Sequence, residues 1–479
     1  MNAKEILKKY FKYDSFRDGQ EHIINSILNG KDILAIMPTG GGKSLCYQIP
    51  ALMLNGVTFV VSPLIALMQD QVNALKDLDI PASYINSSMS TEEIESVYQT
   101  VRNNLIKILY IAPERLETPE FLNFSKEINI SMVAIDEAHC ISQWGQDFRP
   151  SYLNILNFIN SLSKRPIISC FTATATEEVK SDIIGILNLI NPEIIITEYD
   201  RINLYYIVEK ISKKTDKDKY IISYLKNHPN DSGIIYCSTR KDVDYLMETL
   251  KDKNFSITKY HAGMDNPIRR QNQENFTNDE SLVIVATNAF GMGIDKPNVR
   301  FVIHYNIPKN IEDYYQESGR AGRDGKPAKC ILLYSSADSF KTTRLIKSNE
   351  NPTNILAKDL AKFQKIERYA ETNGCLRNYM LQYFGEKRTS PCNNCGNCNQ
   401  IYTKFDKTEE AKLIIQCIKE LNNMYGMSII IGVLKGSQSI RIKNKNLNNC
   451  QCYGALKNSN DSDIRILINQ MIEDNYLRK

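Results

Sequence analysis

The stretch DILAIMPTGGGKS, residues 32–44, joins an apolar run to a glycine-rich turn and then to a helical pattern. A short apolar run bounded by turn residues is typical of a buried strand. Consecutive glycines let backbone N–H groups converge on phosphate oxygens, and the start of the following helix adds a positive dipole end. We therefore predict a nucleotide-binding loop in which Lys43 reaches the β- and γ-phosphates and Ser44 binds Mg²⁺. The predicted cradle consists of Thr39, Gly40, Gly41, Gly42, Lys43 and Ser44.

Similar apolar runs continue along the first 340 residues and alternate with longer amphipathic stretches. This alternation is typical of buried parallel strands and covering helices, so the predicted fold class is α/β. The runs form two series and predict two parallel sheets, with a polar stretch at residues 210–219 between them and a domain border near Asp200. The predicted strands are residues 32–37, 58–61, 107–111, 132–135 and 167–170, then 233–237, 282–286, 301–305 and 330–334.

The composition is that of a globular protein, because 42% of the 479 residues are hydrophobic, 24% are charged and the net charge is only +4. Such a length predicts about three domains. The longest apolar stretches fall far short of the about 20 residues that cross a bilayer, and the charged start does not resemble a signal peptide. Most of the 12 cysteines are scattered or lie in apolar runs, which fits a reducing compartment. We expect a cytoplasmic protein without a membrane partner.

The predicted strand at residues 132–135 runs into the string DEAH, which contains Asp136, Glu137 and His139. Carboxylates at the C-terminal end of a parallel strand lie on the ligand side of an open sheet. Asp136 is therefore predicted to hold Mg²⁺, and Glu137 to orient or deprotonate the attacking water. Met37 replaces the first glycine of the full phosphate-loop pattern, but the acidic string behind the loop strengthens the prediction of nucleotide hydrolysis.

A second candidate for nucleotide chemistry is the string QESGRAGRDG, residues 316–325. Its Arg320 and Arg323 lie three residues apart among glycines and can be presented at a domain edge. An arginine that reaches the γ-phosphate from a separate domain contributes about 10³–10⁵ to the hydrolysis rate, so hydrolysis then depends on the gap between domains. In isolation, the same string would suggest a surface cluster of salt bridges.

The loop after the DEAH string, residues 140–150, contains the single tryptophan of the chain, Trp144, together with Phe148 and Arg149. Aromatic faces stack on exposed bases for about 1–3 kcal/mol each without selecting a sequence. We predict that these three side chains contact single-stranded nucleic acid and report its presence to the nucleotide site. The competing interpretation is a tryptophan that anchors the loop to the core.

Four cysteines have the spacing of metal ligands. Cys392, Cys395 and Cys398 follow a C-x-x-C-x-x-C pattern, and Cys375 lies 17 residues before the first of them. Four thiolates can close a tetrahedral zinc site, and closely spaced ligands reduce the entropy lost in assembling it. The same ligands also suit an iron–sulfur cluster, so the spacing alone leaves both metals open.

In this order, the strings resemble the motifs of the RecQ family of superfamily 2 DNA helicases over essentially the whole chain. The resemblance implies an adenine-recognition element at Tyr13, Arg17 and Gln20, and it favours zinc at the four cysteines. It also implies strand contacts at residues 62–71 and 112–115. The matching strings are SPLIALMQDQ at 62–71, APER at 112–115, FTATAT at 171–176, AT at 286–287 and GMGIDK at 291–296.

Roles in the ATPase cycle follow from the same resemblance. Arg323 matches the family's arginine finger and Arg320 its supporting partner, while His139 and Gln316 would couple the strand site to hydrolysis. Residues 171–176 would couple hydrolysis to domain movement. One departure concerns the aromatic-rich loop, where Gln146 stands in place of a histidine common in the family.

The resemblance implies two tandem RecA-like parallel-sheet domains, then a helical zinc-binding domain and a small winged-helix-like domain. The predicted borders are 1–200 for the ATP-binding domain, 201–340 for the second helicase domain, 341–403 for the zinc-binding domain and 404–479 for the last domain. A final helix ending near Asp474 leaves too few residues for a complete wing hairpin. The helicase-and-RNase-D-like C-terminal domain of the family is expected to be absent.

The predicted activity is an ATP-driven DNA helicase that moves 3′ to 5′ along single-stranded DNA, unwinds duplexes, and serves DNA recombination and repair. The expected ligands are ATP, Mg²⁺, Zn²⁺, and single-stranded and tailed duplex DNA. We expect a monomer in the cytoplasm, associated with the nucleoid if the source is bacterial, with single-strand-binding or repair proteins as partners. The alternatives are an RNA helicase and a nucleic-acid-binding scaffold whose ATP site switches affinity without unwinding.

Overall fold

The chain forms two compact units, Met1–Asn399 and Gln400–Lys479. This computed structural model describes residues 1–145, 147–290, 296–348, 353–386, 388–400, 405–473 and 476–477. The larger unit contains two sheets in which every pairing is parallel. This arrangement confirms the predicted α/β class.

The first sheet is buried on both faces. Leu34 and Ile36 belong to one hydrophobic cluster and Ile33 and Ala35 to another, as expected for alternate residues of a strand. Its strands are β1 Ile33–Ile36, β2 Val57–Val61, β3 Ala82–Ile85, β4 Ile108–Ile111, β5 Ile130–Ile135, β6 Ile167–Thr172 and β7 Glu193–Ile196, in the spatial order β3-β4-β2-β5-β6-β1-β7. The accompanying helices are α1 Ala3–Ile6, α2 Gln20–Leu28, α3 Lys43–Met53, α4 Ile65–Asp77, α5 Thr91–Arg102, α6 Pro119–Glu127, α7 Ile155–Ser161 and α8 Glu177–Ile186.

The second sheet has six strands. They are β8 Leu204–Lys210, β9 Ser232–Tyr236, β10 Ile257–Tyr260, β11 Val283–Ala286, β12 Val299–His304 and β13 Ala328–Tyr334, in the spatial order β10-β11-β9-β12-β13-β8. Its helices are α9 Lys214–Asn227, α10 Arg240–Leu250, α11 Asn266–Thr277 and α12 Ile311–Ser318. Residues 210–219 are not a connection between the sheets, because they run from the end of β8 into α9, where Lys217 is buried.

All nine strands predicted from apolar runs are found, and no end differs by more than two residues. Four further strands, β3, β7, β8 and β10, were not predicted. These four are the outermost strands of the two sheets.

The segment between the sheets is held by α12 of the second sheet domain and by the region that follows the second sheet. The Tyr199 ring stacks on Phe384 with centroids 4.8 Å apart, and the Tyr315 hydroxyl donates to the Tyr199 carbonyl at 2.8 Å. Asp200 forms a buried ion pair with Arg377. The helices of this region are α13 Ser336–Ser348, α14 Thr353–Glu371, α15 Leu376–Tyr383 and α16 Gly396–Asn399.

The smaller unit is helical in its described residues. Ile414 of its first helix and Ile464 and Ile468 of its last helix share a single buried cluster. The helices are α17 Thr408–Glu420, α18 Met427–Leu434, α19 Ile440–Lys443 and α20 Asp461–Glu473.

Some predictions concern residues outside the described part of the chain. These are the departure at Gln146, the string at 291–295, the border at 403 and 404, and the end of the last helix at Asp474. The predicted border at 200 and 201 lies between β7 and β8, and the border at 340 and 341 lies within α13. The domain limits therefore stay predictions.

Candidate nucleotide and nucleic-acid site

The predicted phosphate loop connects β1 to α3. Gly40 and Gly42 adopt φ values of +81° and +79°, a conformation that side chains other than glycine rarely adopt. A Cβ atom on Gly42 would lie 2.4 Å from the Gln20 side-chain nitrogen, so this glycine also permits the Gln20 side chain to approach the loop closely. The Lys43 ammonium donates to the Met37 carbonyl at 3.4 Å, which keeps it at the mouth of the loop.

The predicted adenine-recognition residues contact this loop. Gln20 donates to the carbonyls of Gly41 and Gly42 at 3.2 Å each, and Arg17 donates to the Gly40 carbonyl. Tyr13 lies 53% exposed at the edge of the same cavity. Arg17 and Gln20 therefore connect the predicted adenine-recognition element to the phosphate loop.

The two carboxylates follow β5. The Asp136 N–H donates to the Val61 carbonyl at 2.9 Å, and its carboxylate accepts the Glu137 N–H at 3.0 Å. Burial, followed by the negative charge of Glu137, raises the pKa of Asp136 to about 7, and the positive charge of Lys43 opposes this shift. A desolvated carboxylate of this kind favours a bound cation, and together with the Ser44 hydroxyl it offers the hard oxygen donors that Mg²⁺ prefers.

Glu137 occupies a left-handed backbone conformation with φ +46°, which is uncommon for a residue with a side chain. One of its carboxylate oxygens lies 3.3 Å from His139 Nδ1, and that nitrogen also lies 2.9 Å from the Thr172 hydroxyl. Burial lowers the pKa of His139, although the Glu137 charge opposes the change. His139 therefore links the DEAH string to the FTATAT string at the end of β6.

These motifs meet because they follow parallel strands of one sheet. The loop after β1, the string at 62–71 after β2, the string at 112–115 after β4, the carboxylates after β5 and the FTATAT string at the end of β6 all lie at the carboxyl edge. Ligands bind at this edge in open α/β sheets.

Arg323 of the second sheet domain reaches the same place. A Cβ atom built on Gly40 would lie 3.2 Å from Arg323 Cγ, so the arginine stem packs directly on the phosphate loop. Gln316 and Arg320 are buried on and after α12, and Arg320 lies within hydrogen-bond reach of the Tyr236 hydroxyl. Neither is among the residues that line the cavity, whereas Arg323 is.

Together these groups enclose a cavity of about 560 Å³. Its lining includes residues of both sheet domains. The predicted residues among them are Tyr13, Arg17, Gln20, Thr39, Gly40, Gly42, Lys43, Ser44, Asp136, Glu137 and Arg323.

Arg201, which the sequence analysis missed, holds the arginine-bearing turn. Its guanidinium donates to the carbonyls of Gly319, Ala321 and Gly322, the last two at 2.9 and 2.6 Å, and lies 3.5 Å from the Thr39 carbonyl. A lone arginine between two sheets has no motif around it, so only the fold reveals its role.

The aromatic-rich loop begins directly behind the carboxylates. A Cβ atom on Gly145 would lie 2.1 Å from the His139 carbonyl oxygen, so the loop folds back tightly onto the DEAH string. Trp144 is 40% exposed and Phe148 is half-buried. Arg149 donates to the Pro63 carbonyl at 2.7 Å and pairs with Asp147 at 2.9 Å, so it joins this loop to the string at 62–71.

Two lysines of α14 hold this loop, and neither belongs to a predicted motif. The Lys362 ammonium donates to the carbonyls of Trp144 and Gly145 at 2.7 and 2.9 Å. The Lys358 ammonium lies 3.5 Å from the centre of a Trp144 ring, a cation–π contact.

The four predicted metal-binding cysteines converge. The sulfur atoms of Cys375, Cys392, Cys395 and Cys398 all lie within 4.8 Å of one another. The Asn378 and Asn394 N–H groups donate to two of these sulfurs at 3.4 and 3.3 Å, which favours thiolates. The four sulfurs fit a closed tetrahedral zinc site.

Family models match the chain in four consecutive segments. A DEAD/DEAH box helicase model matches residues 17–182, and a helicase conserved C-terminal domain matches 216–325. A RecQ zinc-binding model matches 336–399, and an RQC domain matches 401–479. The solved structure of Mss116p bound to single-stranded RNA and AMP-PNP has a TM-score of 0.60 at 19% identity, covering 94% of this chain and 93% of that one. Fold and site thus define a helicase with two RecA-like domains.

Relatives that match almost the whole chain identify the family within this class of helicases. ATP-dependent DNA helicase RecQ of Bacillus subtilis is 43% identical and covers 99% of this chain and 80% of its own length. The Haemophilus influenzae RecQ is 40% identical and covers 100% of this chain and 76% of its own length. The chain therefore belongs to the RecQ family of ATP-dependent DNA helicases. Among the helices of the described ranges, none combines the length and the apolar character needed to cross a membrane.

Proposed function

We propose that this chain couples ATP hydrolysis to 3′–5′ movement along single-stranded DNA and to duplex unwinding, in DNA recombination and repair. The observation that supports this most strongly is the contact of Arg323, from the second sheet domain, with the phosphate loop at Gly40. A nucleotide in the cavity would touch both domains, so loss of its terminal phosphate would weaken the attraction between them. Polarity and pathway rest on membership of the family.

The proposed chemistry assigns one task to each group around the cavity. Lys43 neutralises the β- and γ-phosphates, Glu137 orients the attacking water, and Arg323 stabilises the charge that develops on the γ-phosphate. Arg320 supports Arg323, and His139 and Gln316 couple the strand site to hydrolysis. Ser44 and Asp136 would hold Mg²⁺, which would neutralise phosphate charge when bound.

The proposed strand contacts are the side chains of Trp144, Phe148 and Arg149. A base on Trp144 would influence hydrolysis through the adjoining backbone, because Gly145 packs on the His139 carbonyl. His139 in turn contacts Glu137 and Thr172. This chain of contacts supports DNA-stimulated ATP hydrolysis.

We propose single-stranded and tailed duplex DNA as the ligands and a monomer as the working form. Cytoplasmic location, nucleoid association and binding of single-strand-binding or repair proteins belong to the same proposal. The four-cysteine cluster would hold zinc.

The test measures strand displacement on duplexes with a 3′ or a 5′ single-stranded tail, made of DNA or of RNA. We expect ATP-dependent opening of the 3′-tailed DNA, and its loss in Lys43→Ala. Lys126→Ala, which removes an exposed lysine of α6, is the matched control and should behave like the original chain.

Three results would contradict the proposal. They are unwinding by Lys43→Ala, opening only of 5′-tailed or RNA duplexes, and ATP hydrolysis with DNA binding but without displacement. The last result would favour an ATP-switched scaffold.

A further inference from the structure

A second group of thiols lies in the smaller unit, far in sequence from the four-cysteine cluster. It consists of Cys417 and Glu420 on α17 together with Cys450 and Cys452, and we call it the thiol–carboxylate cluster. Cys417 and Glu420 are three residues apart and so share one face of the helix. Cys450 and Cys452 follow the short turn Leu447–Asn449. In the sequence, nothing relates Cys417 to the closely spaced pair Cys450 and Cys452.

Their ligand atoms converge in the fold. The carboxylate of Glu420 and the sulfurs of Cys450 and Cys452 lie within 4.8 Å of one another. The two sulfurs are 3.4 Å apart, and the Cys417 thiol lies within hydrogen-bond reach of Cys452. Glu420 also accepts the Cys452 N–H at 3.2 Å, which fixes the carboxylate beside the thiols.

The four-cysteine cluster of the same chain provides an internal standard. Its Cys392 and Cys398 sulfurs are 3.9 Å apart, and its ligand atoms fall within the same 4.8 Å limit. Two sulfurs on a tetrahedral zinc ion, each bound at about 2.3 Å, lie about 3.8 Å apart. In the thiol–carboxylate cluster, the ligand atoms of Glu420, Cys450 and Cys452 already meet the 4.8 Å limit, and Cys417, within hydrogen-bond reach of Cys452, would supply the fourth ligand.

The segment that contains Cys450 and Cys452 is basic in sequence. Residues 421–460 contain Lys435, Arg441, Lys443, Lys445 and Lys457 but no aspartate or glutamate. Three thiolates and one carboxylate on a divalent ion leave a net negative charge, which this basic segment would offset. Cys417 and Cys452 are buried, so the ion would be shielded from water.

We propose that Cys417, Glu420, Cys450 and Cys452 form a second metal site for a thiophilic divalent cation, zinc(II) by ligand type and number. Cysteine and carboxylate are both zinc ligands, and four ligands close a structural site. The ion would fasten the segment around Cys450 and Cys452 to α17, in a stretch with little regular structure between α19 and α20.

The experiment measures metal content of the full chain, purified under reducing conditions and dialysed free of loose ions. Elemental analysis should give two zinc ions per chain, and one in the Cys450→Ser/Cys452→Ser double variant. Cys170→Ala, which removes a buried cysteine of β6 outside both clusters, should retain two. Glu420→Gln should keep its fold but lose the second ion to a competing chelator at least tenfold more readily.

A second measurement keeps the proposal testable if the double variant folds poorly. Cadmium ions added to chain that holds zinc only at the four-cysteine cluster should produce the sulfur-to-cadmium charge-transfer absorption of one bound cadmium per chain. Glu420→Gln should weaken this cadmium binding. One zinc per chain with no cadmium uptake would overturn the proposal. So would a disulfide among these cysteines in the reduced protein, detected by the mass of alkylated peptides.

Discussion

The first sheet domain carries Lys43, Asp136 and Glu137 at the ends of its own strands, whereas the second contributes Arg323 from a turn after α12. The first set is fixed by contacts within one domain, such as the bond from the Asp136 N–H to Val61. The position of Arg323 depends on Arg201, in the segment that joins the domains. In the proposed function, the first domain binds the nucleotide and the second senses whether the γ-phosphate is present.

Removing the sensor should have the largest effect. We expect Arg323→Ala to lower DNA-stimulated kcat by about 10³–10⁵-fold, because the γ-phosphate charge loses its guanidinium. Affinity for ATP should change little, since the first domain keeps its contacts. Steady-state ATPase assays and binding of a fluorescent ATP analogue measure both quantities. Arg344→Ala, at an exposed position of α13, is the control. A parallel loss of binding and hydrolysis would erase the distinction between the domains.

In the first sheet domain, Glu137→Gln should reduce kcat by about 10²–10⁴-fold, because the amide cannot accept a proton from the attacking water. ATP binding should persist, as the Lys43 loop is unchanged. Single-turnover hydrolysis measures the effect, with Glu120→Gln on the exposed side of α6 as control. A loss below tenfold would remove Glu137 from the chemical step.

Substitution of Arg201, in the segment that joins the two sheet domains, should have an intermediate effect on hydrolysis. Arg201→Met removes hydrogen bonds to the Gly319, Ala321 and Gly322 carbonyls, and bonds to a charged group are worth about 1.5–3 kcal/mol. We expect kcat to fall by about 10- to 100-fold with KM for ATP nearly unchanged. Arg201→Lys keeps the charge but not the planar fork and should recover part of the rate. A change confined to KM would show that Arg201 serves binding instead.

The smallest effect is expected for Tyr13, at the edge of the cavity. Tyr13→Ala should raise KM for ATP by up to about tenfold, the equivalent of an aromatic stacking contact of about 0.5–1.5 kcal/mol. kcat should stay the same, and Tyr13→Phe should match the original chain in ATP titrations. If Tyr13→Phe lost as much as Tyr13→Ala, the hydroxyl rather than the ring would be the active group.

The strands that the sequence analysis missed share a physical cause. Edge strands have one neighbour and face water, so their apolar runs are broken. Ile194 and Ile196 of β7 are 47% and 46% exposed, and β10 contains Lys259. Central strands are buried on both faces and appear as continuous apolar runs. Continuous apolar runs therefore indicate central strands such as β1 and β5 but do not indicate the strands at the sheet edges.

The site residues also fall into a group that the sequence indicates and a group that it does not. Lys43 and Asp136 lie in short strings whose spacing indicates their chemistry, and the fold brings both to one cavity. Arg201 and Lys362 act across more than 100 residues of chain, so no local pattern marks them. Cys450 and Cys452 had a usable signal in their close spacing, but their proposed partner Cys417 lies 33 residues before Cys450, on α17.

The cation on Trp144 has a consequence for how the loop meets its ligand. Lys358 already covers the indole, so a nucleobase stacking on that face has to exchange places with an ammonium group. Strand entry would thereby free a positive charge beside the incoming phosphates, and the loop would trade an internal partner for an external one at little net electrostatic cost.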